Sequence, residues 1–259
     1  MQEIKLCRLE KWIEASGDEA QVIVGPPCEA LLRLQGSGHC VLAELSHLQG
    51  LDEEKVAEAL GKEEAIMQFE NVCICAEELP QAYLRRIWCN AQGIPVQIAE
   101  TERLIIRESV VEDAEAFWKL YRDSECRKYL QQPPVNMEYG LSKEARERGV
   151  AAYRRYIEEY RKGQYAFFEY GMWTVVEKKN GAVVGRAGLE QQKMQVSLGY
   201  AILPEYRGRG YAVEACGAIL DYCKECGYED QVAVTIDDGN AASKGVYQKL
   251  IRDGAVLLE

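Results

Sequence analysis

The segment Pro204-Glu-Tyr-Arg-Gly-Arg-Gly-Tyr-Ala212 concentrates residues that could bind an anion. It follows an apolar, strand-like run ending at Leu203 and opens a helical pattern. Glycines at such a junction let the backbone turn and come close to a ligand. The first amides of a helix lack intrahelical partners, and its dipole favours negative charge there. Arg207 and Arg209 add positive charge or are simply solvated. Two anions compete for this loop. A dinucleotide would use Gly208-Arg-Gly210 as G-x-G, with Asp237 ending the next strand where a ribose-binding acid belongs. Three features oppose it. The third glycine position holds Val213, the four residues Pro204–Arg207 separate strand from glycine, and only 22 residues follow Asp237. A pyrophosphate such as that of coenzyme A needs only one helix N-terminus. The preceding strand has a thin face of Ser197, Gly199 and Ala201, which would admit an extended ligand or pack tightly on a helix. Its other face is bulky: Val196, Leu198, Tyr200 and Ile202.

Other reactive side chains are less suggestive. Ten cysteines are present, and Cys223 and Cys226 form a C-x-x-C. A zinc site needs further ligands at suitable spacing, and the two histidines, His39 and His47, lie far upstream. Cys216, Ile219, Leu220 and Cys223 instead follow a helical period, as apolar core residues would. No metal is predicted, and no histidine-based catalysis in the C-terminal part.

Two domains must position these groups. Residues 1–97 alternate strand and helix, which predicts a small parallel α/β domain. "QVIVG", "HCVLAEL" and "NVCICA" are its strands. "DEEKVAEALGKEE" is a helix capped by Asp52, and "ELPQAYLRRIWCNAQG" one stopped by Gly93 and Pro95. From residue 98 to 259 a new unit begins, with Ile105 and Ile106 in a strand. A helix then sets Ala114, Phe117, Trp118 and Tyr121 on one face. A polar, tyrosine-rich helix follows over 139–162, with Glu144 and Arg148 one turn apart. "MWTVVEKKNGAVVGRAGLE" reads as a hairpin around Asn180-Gly181. "QVSLGYAIL", the glycine loop and its helix, a strand "QVAVTI", a helix "NAASKGVYQKL" and a short tail complete the pattern.

Arg207-Gly-Arg-Gly-Tyr-Ala212 matches [QR]-x-x-G-x-[GA], and three further stretches follow in order: "VVGRAGLE", "SLGYAILPEYRGRGYAVEA" and "DDGNAASKGVYQKL". With the opening "ETERLIIRESVVEDAEAFWKLYRD", residues 99–259 resemble the GNAT acetyltransferase superfamily, in its ribosomal-protein N-acetyltransferase-like branch. The resemblance implies an acetyl-CoA-dependent transferase whose mixed sheet splays between its fourth and fifth strands. Coenzyme A would bond to the backbone around Ala201, Ile202 and Leu203 and to amides of Arg209, Gly210, Tyr211 and Ala212, with Gly208 giving access. Asn240, a helix cap in its own right, would also contact it, as would Ser243. By the same resemblance Tyr247 would protonate the departing sulfur; a tyrosine packed on the sheet is the alternative. Glu190 would lie near the acetyl group and serve as base, directly or through water, unless it is a solvated strand-end glutamate. The family often has Gly-Phe where this chain has Ile251-Arg252, which bears on the last strand and the acceptor pocket. Residues 1–97 faintly resemble a truncated HAD-like Rossmannoid domain that lacks the D-x-D nucleophile pair.

Composition bounds the remaining classes. A net charge of −11 argues against non-specific nucleic-acid binding. No run of about 18 apolar residues occurs, so no membrane span is predicted. The start "MQEIKLCRLEKW" has no signal-peptide core, which places the chain in the cytoplasm with reduced thiols. The resemblance implies an amine of a small molecule or peptide as acceptor. A coenzyme A-binding sensor without transfer is the second reading.

Overall fold

The computed structural model describes residues 4–14, 21–60, 64–129, 134–135, 139–165, 170–192, 195–226 and 232–252. The chain divides into two compact units, Met1–Val96 and Gln97–Glu259.

In the first unit the elements run β1 (Lys5–Arg8), α1 (Leu9–Glu14), β2 (Gln21–Gly25), α2 (Glu29–Gly36), β3 (Val41–Glu44), α3 (Glu53–Leu60), β4 (Val72–Cys73) and α4 (Gln81–Ala91). The strands are parallel in the order β1-β2-β3-β4. Val22, Val24 and Leu42 pack on Leu84 and Ile87 of α4, while Ile23, Val41 and Ala43 pack on Leu9 and Leu31. Burial on both faces explains why these strands read as unbroken apolar runs rather than alternating ones. Asp52 caps α3, accepting from the Lys55 amide at 3.0 Å. The sequence reading missed β1 and α1, whose short apolar stretches are broken by charges. At the carboxyl ends of the strands Arg8 bridges Glu44 and Glu77. Glu44 also accepts from the Ala76 amide at 2.8 Å and the Ser46 hydroxyl at 3.0 Å. Ligand atoms of Glu44, Cys75 and Glu77 lie within 4.8 Å of one another, a grouping that cysteine spacing did not suggest.

The second unit contains β5 (Gln97–Glu100), β6 (Leu104–Arg107), α5 (Ala114–Arg122), α6 (Ser124–Tyr129), α7 (Lys143–Tyr160), β7 (Met172–Glu177), β8 (Val183–Gln192), β9 (Gln195–Ile202), α8 (Tyr211–Glu225), β10 (Val232–Ala233) and α9 (Ala241–Arg252). The sheet order is β5-β6-β7-β8-β9-β10, antiparallel except for the parallel β9–β10 pair. On one face Trp173, Val175, Val184 and Leu189 pack with Ala215, Cys216, Ile219 and Cys223 of α8. On the other, Ala201 and Leu203 pack with Phe117, Trp118 and Tyr121 of α5 and Tyr153 and Ile157 of α7. This is the mixed α/β architecture that the resemblance implies. No described helix is long and apolar enough to cross a membrane.

Several boundaries differ from the sequence reading. The polar helix runs over Lys143–Tyr160, because Ser142 caps it by accepting from the Ala145 amide at 3.1 Å. A wider turn, Arg161–Tyr165, follows it. The Asn180-Gly181 hairpin is closed by Glu177 and Ala182, a longer loop than the two-residue turn such a dipeptide favours, with Gly181 at φ 69°. Of "QVAVTI", Val232–Ala233 pair as strand and 234–236 do not among the described residues. The edge strand β5 precedes the expected opening strand, so the splay falls between the fifth and sixth strands of this sheet. The short tail 254–259 lies outside the described residues. Close approach fixes two glycines of β8. A β-carbon on Gly185 would lie 2.2 Å from the Ala201 carbonyl oxygen, and one on Gly188 2.0 Å from that of Gly171.

Candidate active site

β10 meets β9 only at Val232↔Val196 and Ala233↔Ser197. From Leu198 onward the edge of β9 facing β10 has no strand partner among the described residues. Backbone groups alternate in direction along an antiparallel strand. The Leu203 amide donates to the Val184 carbonyl at 2.9 Å, so Ala201 and Leu203 direct their peptide groups to β8. Ile202 and Tyr200 direct theirs into the opening. Of the three backbone positions expected to hold coenzyme A, Ile202 therefore faces the gap, and its carbonyl accepts from Arg207 Nε at 3.0 Å.

The glycine loop continues from this edge. Gly208 has φ 75° with open space where a side chain would stand, and Gly210 has φ 82° and caps α8 with no side chain. The first amides of α8, those of Tyr211 and Ala212, are left free of side-chain caps. Both arginines are employed structurally. Arg207 also pairs with Asp123 at the α5–α6 junction. Arg209 donates to the Glu205 carbonyl at 2.7 Å and lies 5.1 Å over the Tyr206 ring. The tyrosine of the motif is buried, its hydroxyl on Glu177. Arg103, which sequence did not single out, supports the loop from β6. It donates to the Arg209 carbonyl at 3.0 Å and pairs with Glu214. Glu214 also accepts from Thr101 at 2.5 Å. These contacts hold its carboxyl below the usual range against burial, which pushes it the other way.

α9 supplies the wall beyond the opening. Asn240 Oδ1 accepts from the Ser243 amide at 3.0 Å, so the capping role is realised. Ser243 Oγ lies 3.0 Å from the Tyr200 hydroxyl, joining α9 to β9 across the splay. Tyr247 is half-buried, and its hydroxyl has no partner among the described residues. A second link comes from α6: Tyr129 donates to the Gly239 carbonyl at 3.1 Å.

Glu190 pairs with Ser197 in the β8–β9 register and is exposed. It lies two residues inside β8 rather than at its end. Opposed residues share a sheet face, so Glu190, Gly188 and Arg186 stand on the thin face with Ser197, Gly199 and Ala201. A β-carbon on Gly199 would be 3.6 Å from Met172 Sδ and 3.8 Å from Glu190 Oε2. The thin face thus serves both readings: Ala201 packs on helices, whereas Gly199 leaves space bounded by Met172 and Glu190. Ser197 Oγ is buried without a partner. A separate cleft of about 660 Å3 opens beside Trp118, Arg122 and Pro204, and touches only Leu203 among the predicted residues.

Sequence reading also missed Arg186, which is 1% exposed. It donates to the Tyr121 hydroxyl at 2.9 Å and the Met172 carbonyl at 2.8 Å, and its Nε is buried without a partner. Its guanidinium lies 4.5 Å over Phe117, 5.5 Å over Tyr160 and 5.7 Å over Tyr156. No carboxylate pairs with it among the described residues. The only signal in the sequence was its alternation with Gly188 and Glu190.

An opened strand edge, a glycine turn and an uncapped helix N-terminus have the shape and polarity that an extended ligand ending in an anion would need. The sequence model of the acetyltransferase (GNAT) domain matches residues 103–250, more than half of the chain. The chain belongs to the GNAT acetyltransferase family. Among curated proteins, YkkB of Bacillus subtilis strain 168 is 32% identical over 83 residues, 30% of this chain and 48% of YkkB. The chain therefore spans about half the length of that relative. YoaA of the same organism, an uncharacterized N-acetyltransferase, is 26% identical over 153 residues, 57% of this chain and 78% of YoaA. A solved GNAT-family acetyltransferase from Bacillus anthracis has TM-score 0.45 at 22% identity, covering 59% of this chain and 81% of that one.

Proposed function

We propose that this chain transfers an acetyl group from acetyl-CoA to an amine of a small molecule or peptide, with the machinery in residues 98–259 and a separate α/β domain in 1–97. The observation that carries the reading is the parting of β9 from β10 after Ser197, directly before the uncapped start of α8. Orphan amides beside open space at Gly208 suit a pyrophosphate, and the unpaired edge at Ile202 suits an amide-bearing arm. When bound, acetyl-CoA supplies an activated thioester. The protein groups do the rest. Amides of Arg209, Gly210, Tyr211 and Ala212 hold the phosphates. Asn240 and Ser243 line the far wall. Tyr247 donates its hydroxyl proton to the leaving sulfur. Glu190, above the space at Gly199, takes the proton that the amine gives up, directly or through water.

The test is incubation with acetyl-CoA and a panel of amino acids, polyamines, aminoglycosides and short peptides, following free thiol. Turnover well above background on at least one amine supports the reading. Tight coenzyme A binding without turnover on any amine sinks it and favours a sensor. Calorimetry that finds NAD binding and no coenzyme A binding would return the loop to the dinucleotide reading.

A further inference from the structure

Arg186 has no counter-ion among the described residues, although burial of an unpaired charge is among the costliest arrangements in a protein. Two neutral acceptors and three aromatic faces compensate it in part. The side chains that contact it are aromatic. Burial pushes the phenols of Tyr121 from α5, Tyr153 and Tyr160 from α7, and Tyr165 from the turn after it upward. Asp113 is closed on Arg107 by two hydrogen bonds of 2.8 Å. Glu190, on the same strand face, is exposed and borders the space over Gly199, where its carboxylate acts on an amine in the sense opposite to Arg186. A fixed positive charge thus stands on the thin face of the sheet. The guanidinium reaches the Met172 carbonyl, Met172 opposes Gly188, and the Met172 sulfur borders the space over Gly199. Arg186 and Gly199 stand on neighbouring strands two residues apart in register, a backbone separation of roughly 8 Å that sets the scale of the distance.

We propose that Arg186 holds the acceptor amine in its neutral, nucleophilic form, so that its field substitutes for much of a general base. The inference rests on the transferase reading above. An ammonium over Gly199 is disfavoured by the buried charge, whereas the neutral amine is not. The amine lone pair then attacks the thioester carbon as the carbon–sulfur bond breaks. The sulfur takes a proton from Tyr247, and the nitrogen sheds its own to Glu190 or water. Arg186 touches neither reacting atom and acts as an electrostatic positioning residue.

The pH dependence of kcat tests this, because kcat reports groups in the bound complex and kcat/KM those of the free partners. The amine that wild type turns over fastest in the panel is assayed with wild type, Arg186→Met, Arg186→Gln and Arg186→Lys. The effect of Arg186 is read from the position of the rising limb of kcat in wild type relative to the neutral variants, since Glu190 is common to all. In the Met and Gln variants that limb moves up by about one to two pH units, the effect of a unit charge about 8 Å away at an effective dielectric near 20. The Lys variant keeps the wild-type limb, and coenzyme A affinity stays within about twofold in all, since the charge lies off the loop. Two neutral variants guard against one that fails to fold. A limb that stays in place while kcat falls overturns the inference and leaves a structural arginine. A wild type that turns over no panel amine defeats the transferase reading itself, and this inference with it.

Discussion

Tyr247 combines a half-buried ring with a hydroxyl that has no partner among the described residues, on the helix that Asn240 caps. A group that only packs would lose little on removal of the oxygen, whereas a proton donor would lose its function. Tyr247→Phe should lower kcat by roughly tenfold to a hundredfold, the range of general acid catalysis, with coenzyme A affinity within about twofold. An unchanged kcat in stopped-flow turnover removes Tyr247 from the mechanism. Glu214 offers a pH-dependent counterpart. Its folded pKa is depressed, so it contributes stability above its unfolded value of about 4.3 and loses it as pH falls through the folded one. Glu214→Gln should be less stable than wild type at pH 7 and show a flatter decline below about pH 4.3 in urea titrations. Parallel curves for the two proteins would show that the Arg103–Glu214–Thr101 cluster adds nothing.

Elements were legible where one period dominated. The bulky and thin faces of β9 were read correctly because a strand alternates strictly, and the α8 core because its apolar residues recur at helical spacing. Arg186 escaped for the same reason that it matters. A charged residue within a strand reads as solvent-facing, and only the two helices over that face show it to be enclosed. Arg103 was missed because it reaches the loop from a strand more than a hundred residues earlier in the chain. The long tyrosine-rich helix was overextended because nothing in its composition marks Ser142 as the cap. Its packing gives a prediction of its own. A β-carbon on Gly149 of α7 would lie 2.1 Å from Trp118 Cδ1 of α5. Gly149→Ala gains helix propensity yet should destabilise by about 1–3 kcal/mol through overpacking. A rise in melting temperature would show that the tryptophan yields at no cost.

At the scale of the whole molecule, the proposed chemistry lies in one unit and a second parallel core in the other. Leu42, fully buried between β2 and α4 in the first unit, tests the division. Leu42→Ala should cost about 2–5 kcal/mol. In molecules that remain folded, kcat should stay within about twofold, because no proposed site residue belongs to that core. A large loss of kcat at wild-type coenzyme A affinity would give the first unit a part in turnover. The glycines set a different limit, on how this molecule can drift in sequence. Gly208 meets no neighbouring atom of the protein, so its positive φ and the proposed phosphate space are what constrain it, and asparagine, which visits that region most readily among the larger residues, is the replacement its backbone best admits. Gly185 and Gly188 have ordinary backbone angles but carbonyl oxygens where a methyl would stand. In a saturation library, position 208 should therefore retain a short, selective set of survivors. Positions 185 and 188 should retain glycine alone, however permissive the growth condition, because there the obstacle is the sheet's own backbone.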